Sequence, residues 1–409
     1  MSSSNSKKTK QKNRTNLHTK IFSGLYLLAL LIFAVLLFVY NFLVLWQRIV
    51  VMGLFAIIGI ALFFLGKLST GWRSAIPSAL SFLVSLVLIL GSFYLIQSFS
   101  AISKMVVDPN EVVATQSPEE KAKLHDELTQ EGFELAEDFI IEEKVEVKEP
   151  EGESFTVYIS GIDRYGSIGG VSRTDVNLIM NVNPVTNQIL TTTIPRDSYV
   201  KIAGGGQNQY DKLTHSGIYG VKSSVETLEN LFDIDINYYI RVNFTSLVEI
   251  VDVLGGIDVE NDFAFTSRNG QHFPTGTIHL NGEESLAFAR ERYNLPDGDF
   301  GRGRNHVKVL EAIIRKGMTP QILLNFGSVM NIVSEAAETN MPQKKITELV
   351  NKQIEKNPKW DFESTQIKGT GSTGQLPSYA MPGFRLYMYE LDDQSVNETI
   401  KQMQAALVE

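Results

Sequence analysis

The 409-residue chain contains no cysteine, so neither a disulfide framework nor a thiolate metal site is available to it. Acidic residues are missing from the first 104 positions, which hold ten Lys and Arg. The overall formal charge of −9 therefore conceals a division: residues 105–409 carry 27 basic and 46 acidic residues, a formal −19. A strongly acidic large region lacks the basic surface that nucleic acid demands, which disfavours a DNA-binding regulator. No internal repeat is present, and Gly204-Gly205-Gly206 lacks the following Gly-Lys-Ser/Thr of a P-loop, so it reads as a flexible loop.

Charge is also missing from three long runs near the N-terminus. Ile21–Trp46, Ile49–Gly66 and Ser74–Ile102 contain no charged residue. A bilayer core needs roughly 20 apolar residues as helix, so these read as three spans. The apolar core is too long for a signal peptide, and no small-residue cleavage site follows. Residues 1–20, with Lys7, Lys8, Lys10, Lys12, Arg14 and Lys20, read as a disordered basic tail. Gln47-Arg48 reads as the turn between the first two spans. The basic tail and the Lys67/Arg73 loop predict a cytoplasmic N-terminus, with everything after Lys104 outside the cell membrane.

Residues 103–153 are charged and poor in aromatics. Ser117-Pro118 predicts a helix start, continued through Lys121–Gly132, in a stalk or small accessory region without evident chemistry.

The chain is organised around Phe155–Asp197. Three β-rich runs, Phe155–Ile162, Asp175–Val182 and Gln188–Ile194, are separated by Gly, Asn, Pro and Ser. If they run up, down and up, Asp163, Arg173, Asp175, Arg196 and Asp197 share one rim. Arg173 and Asp175, two apart, point to one side of an extended chain. Carboxylates among guanidinium groups suit a hard cation and a phosphate. Surface ion pairs beside a hairpin are the alternative, and this stretch alone leaves the two readings level.

Further on, Tyr238–Val242 and Ile257–Glu260 read as strands and Phe273–Leu280 as a hairpin arm. Thr214–Phe232, Phe244–Leu254 and Glu283–Ala289 read as helices, an alternation that indicates an α/β layer architecture. Lys212 is placed to reach a phosphate or to be solvated, and His215 reads as packed or capping rather than a ligand. Arg290 and Arg292 form a clamp only if the chain is extended at that point, since two residues on a helix diverge by about 200°. Arg302 and Arg304 open the next helix, whose N-terminal end favours anions.

Together these stretches resemble the LytR–CpsA–Psr family of cell-envelope phosphotransferases of Gram-positive bacteria. The resemblance rests on Gly161-Ile162-Asp163, Ser172-Arg173-Thr174-Asp175, Ile194-Pro195-Arg196-Asp197, Asp211-Lys212-Leu213-Thr214-His215, Asn281-Gly282-Glu283-Glu284-Ser285-Leu286, Ala289-Arg290-Glu291-Arg292 and Asp299-Phe300-Gly301-Arg302, in the family's order. Three spans before the domain resemble its capsule-associated branch. The resemblance implies an extracytoplasmic α/β/α domain with a central mixed β-sheet over residues 154–409, after transmembrane helices in 21–102. It implies transfer of a glycopolymer, such as capsular polysaccharide, from a polyprenyl-pyrophosphate carrier to peptidoglycan.

In the roles implied, Asp163 and Asp175 bind Mg²⁺. Arg173, Arg196, Lys212, Arg290, Arg292, Arg302 and Arg304 surround the pyrophosphate, and Asp299 is the base, with Arg196 also catalytic. The implied partners are the lipid-linked glycan, the peptidoglycan acceptor, the bilayer and capsule-assembly membrane proteins. One departure stands out: the family places Arg-Gln where this chain has Asn305-His306, and Arg304, one position early, is the expected substitute. A non-catalytic regulator of polymer assembly and a polyprenyl-pyrophosphate hydrolase are the rival readings, the first predicting binding without turnover, the second water as nucleophile.

Overall fold

The computed structural model describes residues 2–40, 43, 45–69, 71–106, 118–135, 141, 144–162, 172–319, 322 and 326–408. The chain divides into two units, residues 1–101 with 346–356 and residues 102–345 with 357–409.

In the first unit, α1 (Ser2–Val39) and α2 (Leu45–Leu68) are followed by α3 (Ala75–Met105). Leu17–Val39, Leu45–Leu68 and Ala75–Met105, of 23, 24 and 31 residues, are each long and apolar enough to cross a membrane. At about 1.5 Å per residue even the shortest exceeds a hydrocarbon core of roughly 30 Å. Two expectations need correction. The basic tail is helical from Ser2, because its Lys and Arg residues are good helix formers and no Gly or Pro separates them from the apolar run. The first turn falls after Val39, and Gln47 and Arg48 lie inside α2. The Arg48 guanidinium bonds the Leu43 carbonyl and lies 5.7 Å from the Phe38 ring, so its charge is absorbed near the turn. The Tyr26 ring packs where Gly59 has no side chain, the small-residue contact by which membrane helices approach closely.

The second unit begins with α4 (Pro118–Gln130) after the end of α3. Ser117, the expected cap, lies outside the described residues. Leu128, Phe133 and Val145 are buried in the same core as Tyr158, so this region is packed into the domain and is not a bare stalk.

A six-stranded mixed sheet organises the unit. Strands β1 (Phe155–Ile162), β2 (Thr174–Asn183) and β3 (Gln188–Thr193) form an antiparallel meander, as expected. The Asn183 side chain accepts from the backbone N–H groups of Val185 and Thr186, and Asn187 has φ 59°, which closes the β2–β3 turn. β4 (Tyr199–Ile202) pairs with β5 (Gln209–Lys212), and the glycine triplet between them is a short 3₁₀ turn. The single helix expected over Thr214–Phe232 is two pieces: a 3₁₀ segment, Leu213–Tyr219, and α5 (Val221–Phe232), because Gly220 at φ 97° breaks the register.

β6 (Tyr238–Asn243) runs parallel to β1 and leads into α6 (Phe244–Val253). A subdomain follows: β7 (Ile257–Asn261), β8 (Phe265–Thr266), β9 (His272–Phe273), β10 (Gly276–Leu280), α7 (Gly282–Arg290) and α8 (Asp299–Gly317). The chain continues through α9 (Phe326–Ala336), β11 (Ala337–Thr339), α10 (Gln343–Lys356), whose residues 346–356 count with the first unit, β12 (Asp361–Gln366), β13 (Gly369–Thr373), β14 (Tyr387–Leu391) and α11 (Asp393–Leu407). Strand order in the sheet is β11-β6-β1-β2-β3-β12.

Neighbouring strand residues alternate faces. Tyr158 and Ile179 carry one face into a core shared with Val225, Leu228 and Phe232 of α5 and Met403 of α11. Thr193, on the opposite face, sits against Gly303 of α8. Helices thus cover both faces, and the C-terminal ends of β1, β3 and β6 meet the N-terminal end of β2 at one rim.

Candidate active site

The turn after β3 holds Arg196 and Asp197 at that rim. Its backbone is fixed from several directions: Ser198 N–H donates to the Pro195 carbonyl, Thr214 N–H to the Arg196 carbonyl at 2.9 Å, and Tyr389 N–H to the Asp197 carbonyl at 2.8 Å. From this anchored turn, Arg196 Nη1 reaches Asp175 Oδ1 at 3.1 Å, and Lys212 Nζ reaches Asp197 Oδ1 at 2.8 Å. Thr214 Oγ1 donates to the same Asp175 oxygen at 3.3 Å. Burial works against the Arg196 charge, but Asp175, Asp197 and Asp299 outweigh it and hold its pKa above the ordinary value.

A cleft of about 590 Å³ opens beside this pair, bordered by Asp175, Arg196, Phe244, Arg268, Arg290, Arg302 and His306. Arg290 is the last residue of α7 and stacks 4.3 Å above the Phe244 ring. The chain turns extended at Glu291, one residue later than a two-arginine clamp requires. Glu291 is buried and accepts from the backbone N–H groups of Arg268, Arg292 and Asn294. Arg292 accordingly turns to Asp299, 3.5 Å away. Asp299 opens α8 and also meets Arg302 at 2.6 Å, which connects it to the cleft wall.

Arg302 is held below its ordinary pKa by burial and by the Arg196 and Arg292 charges, which together exceed the help from Asp299 and Asp175. Guanidinium groups crowded in this way are relieved by an anion. His306, one turn after Arg302, is pushed down to about 3 by burial and by Arg302 and Arg196, so it is a neutral imidazole at physiological pH.

The structure brings Asp175, Arg196, Arg290 and Arg302 to one cleft and ties Asp299 and Arg292 to its edge. It places three expected residues elsewhere. Arg304 is paired with Asp297 and does not border the cleft; two positions past Arg302, it projects from another side of α8, while His306, one turn on, faces the cleft. Lys212 positions Asp197 and does not border the cleft. Arg173 meets Glu131 at 3.7 Å at the surface. Asp163 lies outside the described residues. His215 is buried, as expected, against Asp211 at 2.9 Å and Phe133. Arg268 also borders the cleft without a sequence signal, since its approach depends on the β8–β9 hairpin and on Glu291, neither evident as a local motif.

Residues 123–405 match the model of the LytR_cpsA_psr family. The chain belongs to the LytR–CpsA–Psr family. Within it, the chain is 38% identical over 227 residues to the Bacillus cereus protein named polyisoprenyl-teichoic acid–peptidoglycan teichoic acid transferase TagU, spanning 55% of this chain and 72% of that one. The crystal structure of B. subtilis TagU aligns with a TM-score of 0.50 at 32% identity, covering 63% of this chain and 97% of TagU. A structure of TagT bound to LI-WTA aligns with a TM-score of 0.50 at 27% identity, covering 67% and 98%. The three apolar helices lie N-terminal to the family domain.

Proposed function

We propose that this protein is a membrane-anchored phosphotransferase that moves a glycopolymer from a polyprenyl-pyrophosphate carrier to peptidoglycan. The observation that carries this reading is the convergence of Arg196, Arg290 and Arg302 with Asp175 on one cleft. The names of the relatives support it, since TagU is called a teichoic acid–peptidoglycan transferase.

In this reading the three arginines grip the pyrophosphate oxygens, and Val176, Phe244, Leu286 and Ala287 give the first polyprenyl units an apolar wall. Asp299, held by Arg292 and Arg302, removes the proton from an acceptor sugar hydroxyl. That oxygen bonds to the phosphorus bearing the glycan, and the bridging P–O bond breaks. Polyprenyl phosphate leaves with the bonding pair, its charge spread over the guanidinium cluster.

Among the described residues no group of three or more His, Cys, Asp or Glu forms a metal cage. Mg²⁺ usually takes one or two carboxylates and completes its shell with substrate phosphate and water. Asp175 fits that donor set: among the described residues its side-chain contacts, from Arg196 and Thr214, fall on Oδ1. Asp163 and Asp175 would hold the ion, which when bound neutralises pyrophosphate charge.

The cargo we propose is capsular polysaccharide, on the strength of the three spans; teichoic acid, named in the relatives, is the competing donor. The proposed topology has the N-terminus cytoplasmic and the domain outside, in agreement with the basic Lys67/Arg73 loop. Full-length protein in detergent, given each polyprenyl-pyrophosphate glycan with a soluble peptidoglycan fragment, tests both points. A phosphodiester-linked product from the capsular donor supports the reading. Product from the teichoic acid donor alone corrects the cargo, and donor binding without product refutes the transferase.

A further inference from the structure

The hairpin β13–β14 presents two tyrosines on one face, Tyr387 and Tyr389, two residues apart. Each ring lies diagonally across a glycine of the partner strand. A β-carbon at Gly371 would fall 2.1 Å from the Tyr387 hydroxyl, and one at Gly369 would fall 2.8 Å from the Tyr389 ring. The partner strand, Gly369-Thr370-Gly371-Ser372-Thr373, is small throughout, and the two rings lie over its glycines.

Tyr389 is buried and meets Phe300 edge-on, with ring centroids 6.0 Å apart. Phe300 directly follows Asp299 at the start of α8. Backbone contacts tie the same strand to the Arg196 turn, through Tyr389 N–H to the Asp197 carbonyl. Tyr387 is therefore fixed in relation to both Asp299 and Arg196. It is 40% exposed, it does not border the arginine cleft, and Asp197, Asp299 and Arg292 all lie within electrostatic range of its hydroxyl.

An exposed aromatic ring backed by glycine suits the apolar face of a pyranose, with Thr373, directly across the ladder on the same face, near its hydroxyls. The donor's pyrophosphate is accounted for by the arginine cleft, which Tyr387 does not border. We propose that the Tyr387 face of the β13–β14 hairpin is the subsite for a sugar ring of the acceptor glycan, holding that ring so that its hydroxyl meets Asp299. This rests on the transferase reading above.

The test is steady-state transfer by the full-length protein, with donor and a soluble peptidoglycan tetrasaccharide varied separately. Tyr387→Ala raises the KM for the tetrasaccharide about fivefold or more, the worth of one stacked ring, with donor KM unchanged. Tyr387→Phe keeps the ring and stays within about twofold of the parent. Should Tyr387→Ala not fold, Tyr387→Leu, which fills the space without a π-face, carries the same expectation. An unchanged acceptor KM, or a rise in donor KM alone, overturns the subsite. Absence of transfer by the parent protein strikes the transferase reading instead, and the two failures are distinct.

Discussion

Arg196 and Asp175 meet at 3.1 Å across the rim of the sheet, one from the turn after β3 and the other from the start of β2. The pair joins the residue proposed to grip phosphate to the residue proposed to hold a cation. Removing either leaves its neighbour mispaired in a partly buried site. Arg196→Ala and Asp175→Ala are each expected to lower transfer by about 100-fold or more, with an unchanged far-ultraviolet circular dichroism spectrum. Arg196→Lys recovers little, because an ammonium cannot reproduce the planar fork. Near-normal transfer by either alanine variant removes the pair from the mechanism.

Arg302 and Arg304 separate the site from its surroundings. Arg302 borders the cleft, whereas Arg304 is occupied by Asp297 in a partly exposed pair. Arg304→Ala should leave transfer within about threefold and cost no more than about 1 kcal/mol of stability, as exposed ion pairs do. Arg302→Ala should lower transfer by about 100-fold. Equal losses in side-by-side assays would show that Arg304 reaches the substrate.

His306 gives the acid side of the stability profile a sign. Its folded pKa is about 3, below the unfolded value of 6.5. Between those values the unfolded chain binds the proton and the folded one does not, so this residue's contribution to stability falls as pH drops through that window. His306→Gln removes the contribution and should flatten the decline between about pH 6 and pH 4. Thermal melts across that range, parent against variant, make the comparison. Parallel curves would mean that His306 takes up its proton in the folded protein.

Asp211 illustrates a motif residue whose work is structural. Its carboxylate faces His215 and accepts from Ser378 Oγ and the Ala380 N–H. Burial raises its pKa, but these partners outweigh burial and hold it below the ordinary value. The stability it contributes is present above the usual carboxylate pKa and fades as pH falls below it. Asp211→Asn should cost about 3 kcal/mol at neutral pH while leaving the donor KM unchanged in the folded fraction. Denaturant melts beside donor titrations test this, and a donor defect without loss of stability would place Asp211 in the site.

The sheet meander was legible because its three runs are β-rich and interrupted by turn residues, and Phe155–Ile162 matches β1 end to end. The rim followed from strand direction alone, which is why Asp175 and Arg196 were expected side by side, where the structure places them. Helical phase was harder. Arg302 and Arg304 look equivalent in sequence, and only the way α8 lies on the sheet, with Gly303 against Thr193, decides which one faces the cleft. Arg268 was invisible because its position depends on a buried Glu291 23 residues away. The break at Gly220 and the course of α1 through the basic tail show the same limit: composition marks where an element can run, and backbone geometry decides where it stops.

The proposed Mg²⁺-assisted transfer at the arginine cleft is tested with the full-length protein, polyprenyl-pyrophosphate glycan and a peptidoglycan fragment, with Mg²⁺ or with EDTA, the product read by mass spectrometry. The expected result is a phosphodiester-coupled product that needs the ion and is absent with Arg196→Ala. Phosphorylated glycan released without coupling, or donor bound with no product, would contradict it.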